Sequence, residues 1–258
     1  MSVDGLVIRS QGGSDVGRRR QANEDAFLCD DDLGLWVVAD GMGGHAAGEV
    51  ASQEAIDTVY GMVKRGKARL GTDRGETEAH VRAAVRLLEG AVQAATYMVY
   101  AMSELDSRKS GMGTTISAMM SVKNFCVTAQ VGDSRIYRIR RELAEQLTED
   151  HTLINWQLKQ GIITEEEAKH SKHKNVITRA VGNRDYVQVD TQIVELAEGD
   201  AFLLCSDGLH GYLRQEEIPS LMAGGGQPSV RRLIDLANSR GGKDNITAVL
   251  VEVQLPLE

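Results

Sequence analysis

The sequence predicts an α+β fold, and three observations predict it. Strand-like runs fall in two groups, residues 25–40 with 114–147 and then 187–207 with 245–255, instead of alternating one by one with helices. Helical patterns likewise come in blocks, and the longest has an apolar face that must lie on a sheet. Runs such as "LWVVAD" and "FLLC" are apolar without interruption and read as buried strands.

In chain order, residues 25–40 read as two strands turned at Asp31 to Gly34. A helix is expected from near Gly48 to about Arg65, followed by a flexible loop at residues 71–77. The next helix is the strongest signal: Val81, Val85, Leu88, Val92, Ala95, Val99 and Met102 recur every three or four positions. Residues 114–147 are read as strands with a turn at Lys123–Asn124. Residues 148–183 differ in character, with two short helical patterns, the second opened by Thr164 and Glu167 as a capping box. His151, His170, His173 and several lysines crowd this segment, which reads as a solvated insertion. Strands return at residues 187–207, with a hairpin turn expected at Glu198–Gly199. Residues 223–229 read as a loop, residues 229–242 as a helix closed by Gly241 in a left-handed cap, and residues 245–255 as the final strand.

The 258 residues and 42% apolar content are enough for one packed domain. Cys29, Cys126 and Cys205 are odd in number and far apart, so neither a disulfide framework nor a paired-cysteine metal site is expected, and a reducing compartment fits. No run reaches the roughly 18 apolar residues of a membrane span. The first residues lack the basic and apolar regions of a signal peptide, and a cytoplasmic location is expected. A net charge of -8 argues against a general nucleic-acid binder, and a phosphate-bearing substrate would need bound cations to reverse the sign locally.

The stretch "LWVVADGMGGHAAGEVAS" carries the first chemical clue, because an apolar strand ends on Asp40 and runs into glycines. A nucleotide-binding P-loop is excluded, since no lysine lies between Asp40 and Lys64, and a dinucleotide site would aim Asp40 at a pyrophosphate. Asp40 has counterparts: Asp207 follows "FLLCS", Asp133 follows "VTAQVG", and Asp244 opens the last strand. Any one Asp-Gly is an ordinary turn former. Four carboxylates clustered without cations would repel one another. With no His-Glu-x-x-His and no paired cysteines, oxygen ligands suit Mg²⁺ or Mn²⁺, and Gly41 can offer a backbone carbonyl. "SDVGRRRQANEDAF" adds Arg18, Arg19 and Arg20, whose guanidinium forks match phosphate oxygens. A cysteine phosphatase would need an arginine six positions after its nucleophile, where this chain has Leu35, Gly132 and Gly211. No Gly-x-Ser-x-Gly elbow is present either.

Taken in order, "SDVGRRRQANEDAF", "VVADGMGGHAAGEVAS", "SGMGTTISAM", "VGDSRIYR", "LCSDGLHGYL" and "GGKDNITAVLV" resemble the successive motifs of the metal-dependent protein Ser/Thr phosphatases, the PPM or 2C type, in their bacterial form. The resemblance covers almost the whole chain and implies one domain over residues 1–258. Its fold would be a four-layer α-β-β-α sandwich, two mostly antiparallel sheets flanked by helix pairs, with residues 148–183 as a flap. It implies two core Mn²⁺ or Mg²⁺ ions. Asp40 would bridge them, Gly41 would give a carbonyl, Asp207 and Asp244 would complete the first, and Asp133 with Asp207 would hold a third. Glu24 and Asp25 would hold metal-bound waters, and Arg20 would bind the phosphate. Animal members carry a histidine after the Asp-Gly; Met42 stands there, and His45 is the nearby candidate proton donor. The implied activity is hydrolysis of phosphoserine and phosphothreonine in proteins by a metal-activated water, with opposition to a bacterial Ser/Thr kinase as the family expectation and a switch regulator of the anti-sigma type as the alternative within the same fold; no exposed apolar stripe demands a partner, so a monomer is expected. The rival is a phosphatase-like regulatory module of weak activity, against which intact Asp40, Asp207, Asp244 and Arg20 speak. The flap residues His151, His170 and Lys172 are expected to contact substrate rather than do chemistry.

Overall fold

A computed structural model describes residues 2–3, 5–43, 47–70, 77–171, 173 and 176–255. The chain begins with β1 (Ser2–Val3), β2 (Leu6–Asp15), β3 (Asp25–Asp30) and β4 (Leu35–Met42), then two long helices, α1 (Ala47–Leu70) and α2 (Thr77–Leu105). There follow β5 (Gly113–Thr114), β6 (Ile116–Val122), β7 (Phe125–Val131), β8 (Arg135–Arg140) and β9 (Leu143–Gln146). Two short helices, α3 (Leu153–Lys159) and α4 (Glu165–His170), precede β10 (Asp190–Glu195) and β11 (Ala201–Cys205). The last elements are α5 (Asp207–His210), α6 (Ile218–Met222), α7 (Gly226–Ser239) and β12 (Ile246–Gln254).

Two antiparallel sheets result, one in the order β1-β2-β12-β11-β8-β9 and the other β10-β7-β6-β4-β3, with β5 on the end of β4. Their layering explains the unbroken apolar runs. On β4, Leu35, Val37 and Ala39 face α1 and α2, whereas Trp36 and Val38 face Phe202, Leu204, Val249 and Val251 of the opposite sheet. A strand buried on both sides cannot alternate with polar residues. On the far side, Leu203, Cys205, Ala248 and Leu250 pack under Ile218 and Met222 of α6 and Val230, Leu233 and Ala237 of α7. The four layers are therefore α1/α2, sheet, sheet, α6/α7, as the α+β reading and its family resemblance imply. Among the described residues, no helix is long and apolar enough to cross a membrane.

Several local features differ from the sequence reading, each for a physical reason. β2 has no strand signature because Gly12 and Gly13 interrupt it. Both glycines serve packing: a Cβ on Gly13 would lie 2.9 Å from Val230 Cγ1, and one on Gly12 would lie 2.4 Å from the Phe27 ring. The turn at Glu198–Gly199 is not a hairpin, since β10 pairs with β7 while β11 pairs with β8 and β12; the chain changes sheets there. A hairpin absent from the reading joins β8 to β9 through Arg141 and Glu142, at φ 51° and 62°. Such turns normally use Asn or Gly, so Arg-Glu gave no signal. After α7 it is Gly242, at φ 52°, that takes the left-handed helical value, while Gly241 is at 148°. α7 starts at Gly226 and absorbs half of the expected loop, and α1 runs on to Leu70. The loop expected at 71–77 lies outside the described residues except for Thr77.

Candidate metal centre

The site is built where the two sheets meet at one edge, and its floor is the end of β4. Asp40 is fixed by its main chain: its N–H donates to Thr115 Oγ1 at 2.9 Å, and its carbonyl accepts from the Thr115 N–H and the Thr114 hydroxyl, each at 2.9 Å. Gly41 must be glycine, because a Cβ there would lie 2.1 Å from the Gly48 carbonyl and 2.5 Å from that of Glu24. Across the β3–β4 ladder Asp25 stands opposite Asp40. Asp207 opens α5 directly after β11, and Asp244 precedes β12. Gly208 lets these two segments meet, since a Cβ on it would strike the Asn245 carbonyl at 1.9 Å.

An open pocket of about 470 Å³ is lined by Arg20, Glu24, Asp40, Gly41, Met42, Gly43, Asp133, Ile177, Asp207 and Asp244. Arg20 Nη2 donates to Asp244 Oδ2 at 2.7 Å, and this bond raises the guanidinium pKa further. The carboxylates are strained electrostatically. Burial, and then the charges of Asp25, Asp207, Asp133 and Asp244, push Asp40 well above the usual carboxylate range. Asp207 is raised by burial and by Asp244, and it touches Asp40 in a carboxyl–carboxyl hydrogen bond. Burial beside Asp207 and Asp150 pushes Asp133 up to about 7. Asp25 goes up to about 6 through burial, although its Oδ2 accepts from Ser206 Oγ at 2.7 Å and Thr247 Oγ1 at 2.6 Å; its Oδ1 is buried without a hydrogen-bond partner.

These features fit a divalent cation. Two carboxylates in contact need a shared proton or a shared cation, and a buried orphan oxygen is one that a metal or its water would satisfy. The donors are carboxylates and one glycine carbonyl, the set that hard Mg²⁺ or Mn²⁺ prefers. Among the described residues no group of three or more His, Cys, Asp or Glu side chains is arranged to hold a metal ion by itself; Mg²⁺ keeps several waters and is commonly held by only one or two carboxylates. Cysteine chemistry has no support, because burial pushes the thiols of Cys126 and Cys205 up to about 12 and that of Cys29 to about 11.

Of the residues singled out in the sequence, the structure brings Arg20, Glu24, Asp40, Gly41, Asp133, Asp207 and Asp244 to one pocket. Asp25 lies beside it, under Asp40, within electrostatic reach of Asp207 and Asp244. His45 and Lys172 lie outside the described residues. Met42 lines the pocket and carries no transferable proton. His151 is corrected: the reading of a solvated segment fails at its roots, where His151, Thr152, Ala180 and Val181 are buried, while His170 and His173 are exposed. A residue that the sequence did not reveal is Asn245. Its Oδ1 accepts from the Glu24 N–H at 2.8 Å, and its Nδ2 donates to the Val16 and Ala22 carbonyls at 3.0 and 2.9 Å, tying the arginine loop to β12. Its one sequence signal is its place directly after Asp244.

Comparison with known proteins bears on the family and the fold. The family model described as protein phosphatase 2C matches residues 13–251. The chain is similar to the serine/threonine phosphatase stp of Listeria monocytogenes, with 38% identity over 247 residues, 94% of each chain. Among solved structures it resembles the Mycobacterium tuberculosis serine/threonine phosphatase PstP/Ppp, with TM-score 0.83 and 35% identity over 96% of this chain and 99% of that one. A structure of the PstP catalytic domain in complex with two manganese ions matches with TM-score 0.82 and 35% identity, again over 96% and 99% of the two chains. A family model spanning residues 13–251 and a fold shared over nearly the whole of both chains lead to one conclusion: the chain belongs to the protein phosphatase 2C family.

Proposed function

We propose that this chain removes phosphate from phosphoserine and phosphothreonine in proteins with the aid of Mn²⁺ or Mg²⁺. The observation that carries the reading is the convergence of four strand-end aspartates and Arg20 on one open pocket in a chain of net charge -8. Asp40, the Gly41 carbonyl, Asp207 and Asp244 are assigned to two core ions, Glu24 and Asp25 to their waters, and Asp133 with Asp207 to a third ion. When bound, the ions supply Lewis acidity, which lowers the pKa of water toward neutrality and neutralises phosphoryl charge. Arg20 orients the phosphate: Asp244 engages one of its N–H groups, and the planar fork carries further donors for phosphate oxygens. The Ser206 and Thr247 hydroxyls hold Asp25 by one oxygen. His45 is assigned protonation of the departing serine or threonine alkoxide.

The reading extends to one phosphatase domain over residues 1–258 with a flap at 148–183, acting as a cytoplasmic monomer that opposes a Ser/Thr kinase. The acidic net charge supports protein rather than nucleic-acid partners. The test is hydrolysis of p-nitrophenyl phosphate and of a phosphothreonine peptide with Mn²⁺, with Mg²⁺ and after exhaustive chelation. Activity should require a metal on both substrates. Undiminished turnover after chelation sinks the metal assignment, and tight metal binding without turnover of either substrate would favour a regulatory module.

A further inference from the structure

His151 lines no part of the metal pocket, yet it is bonded to the loop that delivers Asp133. It is 5% exposed. Its Nδ1 accepts from the Gly132 N–H at 3.1 Å, and its Nε2 lies 3.0 Å from Asp190 Oδ2. An accepting Nδ1 requires the proton on Nε2, so Nε2–H donates to Asp190. Arg179 Nη1 also lies 3.2 Å from Nε2, but with Nε2 protonated its N–H donates to the other oxygen of Asp190, at 2.8 Å. The main chain repeats the link, the His151 N–H donating to the Gly132 carbonyl at 2.9 Å and the Thr178 N–H to the His151 carbonyl at 2.8 Å. One residue thus joins, by ring and main chain together, the Gly132–Asp133 loop, both limbs of the segment 148–183, and the first residue of β10.

Gly132 has φ 102°, and a Cβ on it would lie 2.5 Å from the Thr115 side chain, so the loop has one tightly packed course. The same clasp reaches the pocket by a second route. Thr152 pairs with Ile177, and the Leu153 N–H donates to the Val176 carbonyl at 2.8 Å, so the two limbs form a short ribbon that carries Ile177 into the pocket wall. Displacing the imidazole would therefore disturb Asp133 and Ile177 together.

We infer that His151 is a positioning residue: backed by Asp190, it clasps the flap to the Gly132–Asp133 loop and holds the Asp133 carboxylate in place for phosphate hydrolysis. The inference rests on the assignment of Asp133 to the metal pocket. The two ring nitrogens are separable, because an Asn amide oxygen can stand in for Nδ1, whereas a Gln amide nitrogen can stand in for Nε2 and keeps more of the volume. The experiment measures kcat for p-nitrophenyl phosphate across Mn²⁺ concentrations, with thermal unfolding, for His151→Asn, His151→Gln, Asp133→Asn and the double variant His151→Gln/Asp133→Asn. His151→Gln should lower kcat roughly tenfold, the scale of a lost ligand-orienting contact, and raise the Mn²⁺ needed for half-activity, while His151→Asn keeps most of the activity. In the Asp133→Asn background, His151→Gln should add less than about a twofold loss, because both changes act through one carboxylate. Multiplicative losses, a lowered melting temperature with unchanged kcat, or His151→Asn falling below His151→Gln would each overturn the inference. A normal kcat for Asp133→Asn alone would remove the Asp133 assignment and the inference with it, a result distinct from additivity between two active positions.

Discussion

Asp207 touches Asp40 and feels Asp244 across the pocket, whereas the charged neighbours that raise Asp133 are Asp207 and Asp150. Removing the charge of Asp207 therefore weakens the core of the acidic ring, and Asp207→Asn should lower kcat on the order of a hundredfold with loss of tight metal binding. Asp133→Asn should retain the tight sites and lose less turnover. Metal stoichiometry by calorimetry alongside kcat checks both, and tight sites lost in Asp133→Asn but kept in Asp207→Asn would reverse the two roles. His45 is tested by the leaving group. A serine or threonine alkoxide must be protonated as it departs, but p-nitrophenolate leaves unaided. His45→Ala should slow phosphopeptide turnover by about a hundredfold, the range of general acid catalysis, and hardly affect p-nitrophenyl phosphate. Equal losses on the two substrates would rule out proton donation.

At the scale of elements, β2 shows how packing can override strand propensity. Gly13 sits under Val230 and Ile234 of α7, so Gly13→Val should push that helix outward and cost about 1–3 kcal/mol, as overpacked cores do. Denaturant unfolding should show the loss while kcat of the folded protein stays near normal; undiminished stability would mean that α7 yields freely. The same comparison shows what the sequence could reveal. β4 and β11 were legible because burial on both faces demands unbroken apolar residues, and Asp40, Asp207 and Asp244 were legible because each adjoins such a run. β2 was hidden because its glycines answer to α7, far off in sequence, and to Phe27, on a strand of the opposite sheet. Thr115, Ser206 and Asn245 were hidden for a related reason: a polar residue that satisfies a buried main-chain or carboxyl group looks in sequence like any turn or cap residue. His151 was misread because its surroundings are rich in lysine and histidine, and its partners Gly132 and Asp190 lie outside the segment 148–183.

For the whole molecule, the acidic pocket makes stability depend on what neutralises it. In the folded chain Asp25 is pushed up to about 6 and Asp133 to about 7, with Asp40 and Asp207 raised as well. An unfolded Asp releases its proton near pH 4, so the folded chain without metal retains protons that the unfolded chain has already lost. Their contribution to stability is complete below about pH 4 and disappears as pH rises through about 6 to 7. A bound divalent ion replaces those protons and favours the ionised ligands, so its own contribution must grow with pH over the same interval. Thermal unfolding followed from about pH 5 to about pH 8 should therefore give a melting temperature that declines in excess chelator. With Mn²⁺ the decline should flatten, and the gap between the two curves should widen with pH. Asp40→Asn, which removes the charge that faces Asp25, Asp207, Asp133 and Asp244, should narrow that gap by weakening the ion's hold. Parallel curves for the original chain, with and without Mn²⁺, would mean that the raised carboxylates and the metal do not compete for the same pocket.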